Sequence, residues 1–131
     1  MKLHLAAATA ENRFTGYGPG YVIVNNVRHE KNLIVLPERL MQWNVAAFEA
    51  LSAQDFEFLA NLAPEIVLLG TGSSLRFPHP ALSQSLASAR IGLEVMSTPA
   101  ACRTYNILMA EGRKVALALI FEAATNATQA Q

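Results

Sequence analysis

The hydrophobic positions fall into two styles along the chain. Between residues 21 and 36 they form short runs rich in β-branched side chains: Tyr21-Val22-Ile23-Val24, Val27-Arg28-His29 and Leu33-Ile34-Val35-Leu36. Asn25-Asn26 separates the first two runs. Asparagine tolerates the positive φ of a two-residue type I′ turn, so the spacing predicts a β-hairpin there. Glu30-Lys31-Asn32 reads as a second turn, Pro37 stops the third run, and Leu40-Met41-Gln42-Trp43 reads as a further short strand. The N-terminal third is thus expected to be an antiparallel meander, with residues 21–36 as its hairpin. Ahead of it, Gly16-Tyr17-Gly18-Pro19-Gly20 reads as a backbone corner and residues 6–12 as a strand end or loose arm.

From residue 52 onward the period lengthens. Ser52-Ala53-Gln54-Asp55 has the spacing of a capping box, and Phe56, Leu59, Ala60 and Ala63 follow at helical intervals, so a helix is expected to about Leu62. Pro64 bars its continuation. Ile66-Val67-Leu68-Leu69 then reads as a buried strand running into Gly70-Thr71-Gly72. A helix opened by Pro80 carries the stripe Leu82, Leu86 and Ala89, and Gly92-Leu93-Glu94-Val95-Met96 is a second short strand. Thr98-Pro99 opens a last helix that Gly112 closes, and an apolar run from Val115 to Phe121 completes the series. Strand, helix, strand, helix, strand in this order specifies a three-layer α/β core.

Composition narrows the function classes. The 131 residues suit one domain, 1–131, with residues 1–13 and 123–131 expected to be loosely ordered. A hydrophobic share of 52% and a charged share of 15% fit a well-buried fold. Ten basic residues balance ten acidic ones, so neither a nucleic-acid partner nor a polybasic membrane anchor is expected. No apolar run is long enough to insert into a bilayer. Asp55 is the one aspartate and Cys102 the one cysteine, which argues against an oxygen-rich cation cage, a multi-cysteine zinc site and an internal disulfide. Without a secretion signal at the start, the sequon Asn126-Ala127-Thr128 is read as accidental and the compartment as cytoplasmic.

Candidate chemistry collects at one edge. In an open α/β sheet, ligands sit beyond the carboxyl ends of the strands. Two loops are expected there if the strands at 66–69 and 92–96 run parallel. The first, Gly70-Thr71-Gly72 with Arg76, could offer amides and a cation to an anion; alternatively its glycines only turn the chain beside the sheet. It lacks both the P-loop lysine and the third glycine of a dinucleotide fingerprint, so no cofactor is expected. The second leads into the helix at Thr98. There Cys102 could be activated by the helix start and Arg103, with His79 as its base, or could simply be a buried thiol. Glu94, in an otherwise apolar strand, needs a partner: Arg76, Arg103 or Arg113 as a structural ion pair, or a ligand. On the helical wheel Ala101, Tyr105 and Leu108 face inward with Cys102 and Met109 at the margin. Arg103 and Asn106 point outward with Ile107 at the border, either as a partner surface or as a solvated face.

These stretches resemble one family. Tyr17-Gly18-Pro19-Gly20-Tyr21, Leu68-Leu69-Gly70-Thr71-Gly72, Glu94-Val95-Met96 and Ala100-Ala101-Cys102-Arg103-Thr104-Tyr105-Asn106-Ile107-Leu108 are similar to motifs of a family of small uncharacterised domains. That family includes the mitochondrial NADH dehydrogenase (complex I) assembly factor three. Ser97 departs from the aspartate that relatives carry there. The resemblance implies a three-layer fold whose mixed central sheet is partly folded on itself, no established catalysis, and a bacterial relative without a targeting extension. Two readings follow. One is a non-enzymatic domain that binds a protein partner and assists assembly of a respiratory or other membrane complex. The other is a small-molecule or anion-binding domain, with thiol chemistry, at the edge formed by Gly70-Thr71-Gly72 and residues 98–102. A concave pocket holding Arg76 and Glu94 would favour the second; an open edge with exposed Arg103, Asn106 and Ile107 would favour the first. The sequence leaves the oligomeric state open.

Overall fold

The computed structural model describes residues 11–121; residues 1–10 and 122–131, and with them most of the two stretches expected to be loose (1–13 and 123–131) and the sequon at 126–128, lie outside the described residues. Among the described residues eight strands form two sheets. β1 (Phe14–Gly18), β2 (Tyr21–Val24) and β3 (Val27–His29) make an antiparallel meander in that order. The β2–β3 turn is the expected one, with Asn25 at φ 49° and Asn26 at φ 68°. The glycine cluster is only partly a corner: Gly16, Tyr17 and Gly18 belong to β1, and Pro19-Gly20 makes the turn.

β4 (Leu33–Leu36) and β5 (Arg39–Gln42) are strands, as expected, but they leave the meander. They join β6 (Ile66–Gly70), β7 (Gly92–Met96) and β8 (Val115–Leu119) in a mixed sheet of order β5-β4-β8-β6-β7. The predicted single hairpin over 21–36 is therefore two different pairings. β4 is apolar at every position because both of its faces are covered, which local alternation cannot reveal. β6 runs parallel to both β7 and β8, while β4 is antiparallel to β8.

Helices cover the large sheet on both faces. On one side lie α1 (Ala53–Asn61) and α2 (Gln84–Ser88), the latter preceded by a 3-10 turn at Pro80–Ser83. Phe56, Leu59 and Leu86 pack there against Ile34, Val67, Leu69 and Ala118. Leu82 is half-buried, but Ala89 of the expected stripe is exposed, because α2 ends at Ser88. On the other side lie α3 (Thr98–Ala110) and the meander, where Tyr105, Ala101 and Cys102 meet Leu68, Leu117, Val22 and Phe14. Three layers result, as the element order predicts. The Asp55 carboxylate closes the first turn of α1, accepting from the Ser52 N–H at 2.8 Å and the Ser52 hydroxyl at 3.1 Å.

At the far end of α3, Gly112 at φ 80° lets its N–H reach the Met109 carbonyl and the Arg113 N–H reach that of Leu108, a Schellman stop. Within the stretch expected to be loose, Asn12 is tied down: its N–H donates to the Pro37 carbonyl at 2.8 Å and its amide to those of Leu36 and Arg39.

Candidate functional site

Parallel pairing of Gly70 with Met96 brings the two carboxyl-end loops together, as expected. The backbone then locks them. Thr71 N–H donates to the Met96 carbonyl at 3.0 Å and Thr98 N–H to the Gly72 carbonyl at 2.8 Å. The Thr98 hydroxyl accepts from the Gly72 N–H at 3.0 Å, so one amide that could have met an anion is already occupied. The Thr71 hydroxyl donates to the Ser74 carbonyl at 2.7 Å and accepts from the Arg76 N–H at 3.2 Å. Thr71, Gly72 and Thr98 are all buried.

Gly70 has a packing reason as well. A Cβ there would stand 2.6 Å from Leu119 Cδ2 and 3.4 Å from Ala101 Cβ. Glycine lets β6 end hard against β8 and the start of α3, while Gly72, at φ 88°, turns the chain away. Ser97, not Thr98, holds the N-cap position, and its side chain makes no cap bond.

The remaining candidates separate. Arg76 turns back onto the domain: its guanidinium lies 4.5 Å from the centre of the Phe48 ring and 2.9 Å from the Glu49 carboxylate. Glu94 is exposed on β7, an edge strand, and pairs with none of the arginines proposed for it; Arg113 instead holds Glu65 at 2.8 Å. That contact lowers the Glu65 pKa, the Arg113 hydrogen bond being the main cause.

Cys102 is fully buried, and burial pushes its thiol up to about 12, with the nearby Arg103 charge opposing only in part. A thiol so placed stays protonated at neutral pH. His79 is exposed, and its Nδ1 accepts from the Ala81 N–H at 3.0 Å. Arg103 is exposed and donates to the Tyr17 hydroxyl at 2.9 Å. Asn106 does not face outward as the wheel suggested. Its amide donates to the Phe14 carbonyl at 2.8 Å and accepts from the Phe14 N–H at 2.9 Å, clamping β1 to α3. Tyr105 adds a bond from its hydroxyl to the Asn12 carbonyl at 3.0 Å.

Beside its exposed polar groups the edge presents large apolar side chains. In the loop after Gly72, Arg76 points in, while Leu75 is 53% and Phe77 68% exposed. Ile107, four residues beyond Arg103 on α3, is 59% exposed. Sequence reasoning passed over Leu75 and Phe77, although two large apolar side chains in a Gly/Ser/Pro loop outside any periodic element are themselves a signal. Open clefts lie elsewhere, one of about 420 Å³ beside β3 and β5 and one of about 460 Å³ under Pro37, Pro64 and Arg113; neither includes Arg76 or Glu94. Among the described residues no group of three or more His, Cys, Asp or Glu could hold a metal ion, and no helix is long and apolar enough to cross a membrane.

Comparison with known proteins gives a consistent result. The profile of a family described as a protein of unknown function (DUF498/DUF598) matches residues 14–120. The NADH dehydrogenase [ubiquinone] 1 alpha subcomplex assembly factor 3 of Mus musculus is 38% identical over 89 residues, 66% of this chain and 48% of that protein. Its Bos taurus counterpart is 35% identical over 100 residues, 75% of this chain and 54% of that protein. The chain thus spans about half the length of these assembly factors. A crystal structure from Bordetella parapertussis superposes with a TM-score of 0.81 at 43% identity, covering 86% of this chain and 98% of that one. A solution structure from Bordetella pertussis, described as a Mth938-like domain, gives 0.75 at 36% identity over 92% of both chains.

Proposed function

The chain belongs to the DUF498/DUF598 family, and from that membership and the names its relatives carry we propose a protein-binding domain that assists assembly of a respiratory complex from the cytoplasmic side. One observation supports this reading most: the loop whose Thr71 hydroxyl, Gly72 N–H and Arg76 N–H are engaged in internal bonds turns Leu75 and Phe77 to solvent. Burying one such side chain is worth about 1.5–3 kcal/mol, which the isolated domain forgoes and a partner's pocket would recover. In this reading Gly70, Thr71, Gly72 and Thr98 shape the edge and Arg76 braces the loop from beneath. Arg103 and Ile107 form a smaller patch on α3, and Asn106 holds the meander in place beside it.

The test is genetic. Removing the chain from its source cell should lower the amount of assembled NADH dehydrogenase resolved on a native gel. The wild-type chain and Cys102→Ala should restore it, and Leu75→Ser with Phe77→Ser should not. Normal assembly without the chain would sink the reading, and full rescue by the loop variant would remove this surface from it.

A further inference from the structure

The connection between the two sheets leaves backbone groups unspent on another face. Among the described residues β3 pairs only with β2, and β5 only with β4, so each sheet ends there in an open edge. Hydrogen-bonded pairs alternate along an antiparallel ladder, which fixes the groups turned outward. The two-residue turn Pro37-Glu38 makes Leu36 and Arg39 a bonded pair, and Trp43 N–H donates to the Asn32 carbonyl at 3.0 Å on the same alternation. Ile34 and Met41 are then bonded as well, and Leu40 and Gln42 direct their N–H and C=O groups to the open side. The same counting from the Asn25-Asn26 turn leaves those of Arg28 facing out from β3.

These three residues meet in one place. Arg28, Leu40 and Gln42 line the cleft of about 420 Å³, together with His29, Glu30 and Lys31. Its side chains carry a charge bias. The Arg28 guanidinium is taken by the Glu30 carboxylate at 2.7 Å and by the Tyr21 ring at 3.8 Å, whereas exposed Lys31 has no carboxylate partner among the described residues. Leu40 adds apolar surface, being 38% exposed.

The geometry points to a docking groove for an extended, acidic segment of a partner protein, which adds as a strand to β5 with a carboxylate toward Lys31. It rests on the protein-binding reading and adds the form and charge of what is bound. Outward groups recur at every second residue, about 7 Å apart along a strand, a spacing that only another extended chain matches. Lys31 then selects among extended chains by charge.

The test uses the full 131-residue chain, amide hydrogen exchange read by NMR, and short capped peptides alternating valine with either glutamate or lysine. The glutamate peptide should slow exchange at Leu40 and Gln42 and bind about fivefold more tightly than the lysine peptide, the contribution of one exposed charge pair. Leu40→Pro should abolish that binding and keep the fold, because it removes an N–H that the ladder does not use. Met41→Pro should unfold the hairpin, because its N–H lies within the ladder. Equal binding of both peptides, or no protection by either, overturns the groove. Protection of Leu40 and Gln42 before any peptide is added also overturns it: residues 1–10 cover the edge if the protection is independent of concentration, and a second copy does if it is not. If Leu40→Pro still rescues complex assembly in the cell, the groove falls and the protein-binding reading stands.

Discussion

Replacing Asn106 tests whether α3 carries the meander through one side chain. Its amide makes two bonds to the backbone of Phe14, at 2.8 and 2.9 Å, in a half-buried setting. Asn106→Leu strands a donor and an acceptor of β1; at about 1–2 kcal/mol for each group the loss should be about 2–4 kcal/mol. For a domain of this size that lowers the thermal midpoint by roughly 3–5 °C per kcal/mol. Asn106→Asp divides the pair. Protonated, the acid still donates to the Phe14 carbonyl; ionised, it sets a charged oxygen against a carbonyl oxygen. The charged form is thus disfavoured in the fold, and the folded pKa is raised above the unfolded value of about 3.9. The folded state then holds its proton longer, so the variant loses stability as pH rises from about 4 through the raised pKa. Thermal midpoints at pH 4 and pH 7 check this. The deficit of Asn106→Asp should be small at pH 4 and grow by about 1.4 kcal/mol for each unit the pKa is raised, while that of Asn106→Leu stays constant. Wild-type stability in Asn106→Leu, or a pH-independent deficit in Asn106→Asp, refutes the clamp.

Two further outcomes follow from the same packing. Gly70→Ala puts a methyl 2.6 Å from Leu119 Cδ2 in a fully buried contact, and should cost about 1–3 kcal/mol in urea unfolding; an unchanged midpoint would show that the glycine serves something other than close approach. Cys102 is raised to about 12 against an unfolded thiol near about 8.5, so the folded state keeps its proton and stability should fall as pH climbs above that lower value. Cys102→Ala should shallow that decline between pH 8 and pH 10 in midpoint measurements, and identical slopes would contradict the burial argument.

What could be read from the sequence was local. Asn25-Asn26, the Ser52–Asp55 box and the Gly112 stop each act over a few residues, and each behaves as its chemistry demands. The condition placed on the two loops, that β6 and β7 run parallel, is met. What failed was long-range. Asn106 meets Phe14 across 92 positions, so a helical wheel saw only a polar side chain. Neither reading of Glu94, ion pair or ligand contact, is needed on an exposed edge strand, which can have the same sequence pattern as a central one. Local pattern leaves the Gly72 amide open to an anion as well as to a plain turn, because its partner, Thr98, stands 26 residues away. Leu75 and Phe77 escape a reading by periodicity because their loop lies outside helix and strand; their signal is the apolar side chain in a Gly/Ser/Pro stretch.

The sheet order also governs the timing of folding during synthesis. β8 comes last among the described strands yet lies between β4 and β6, and its residues enter both cores. A nascent chain that has emerged only as far as α3 has β4 and β6 with no strand to join them. Neither hydrophobic layer can close until Val115–Leu119 has left the ribosome. The earlier strands must therefore wait, exposed, for nearly the whole described domain to be translated. Folding is then a single late event with a large loop-closure cost, and the unpaired β4 and β6 are the segments a holding chaperone would meet in the interval.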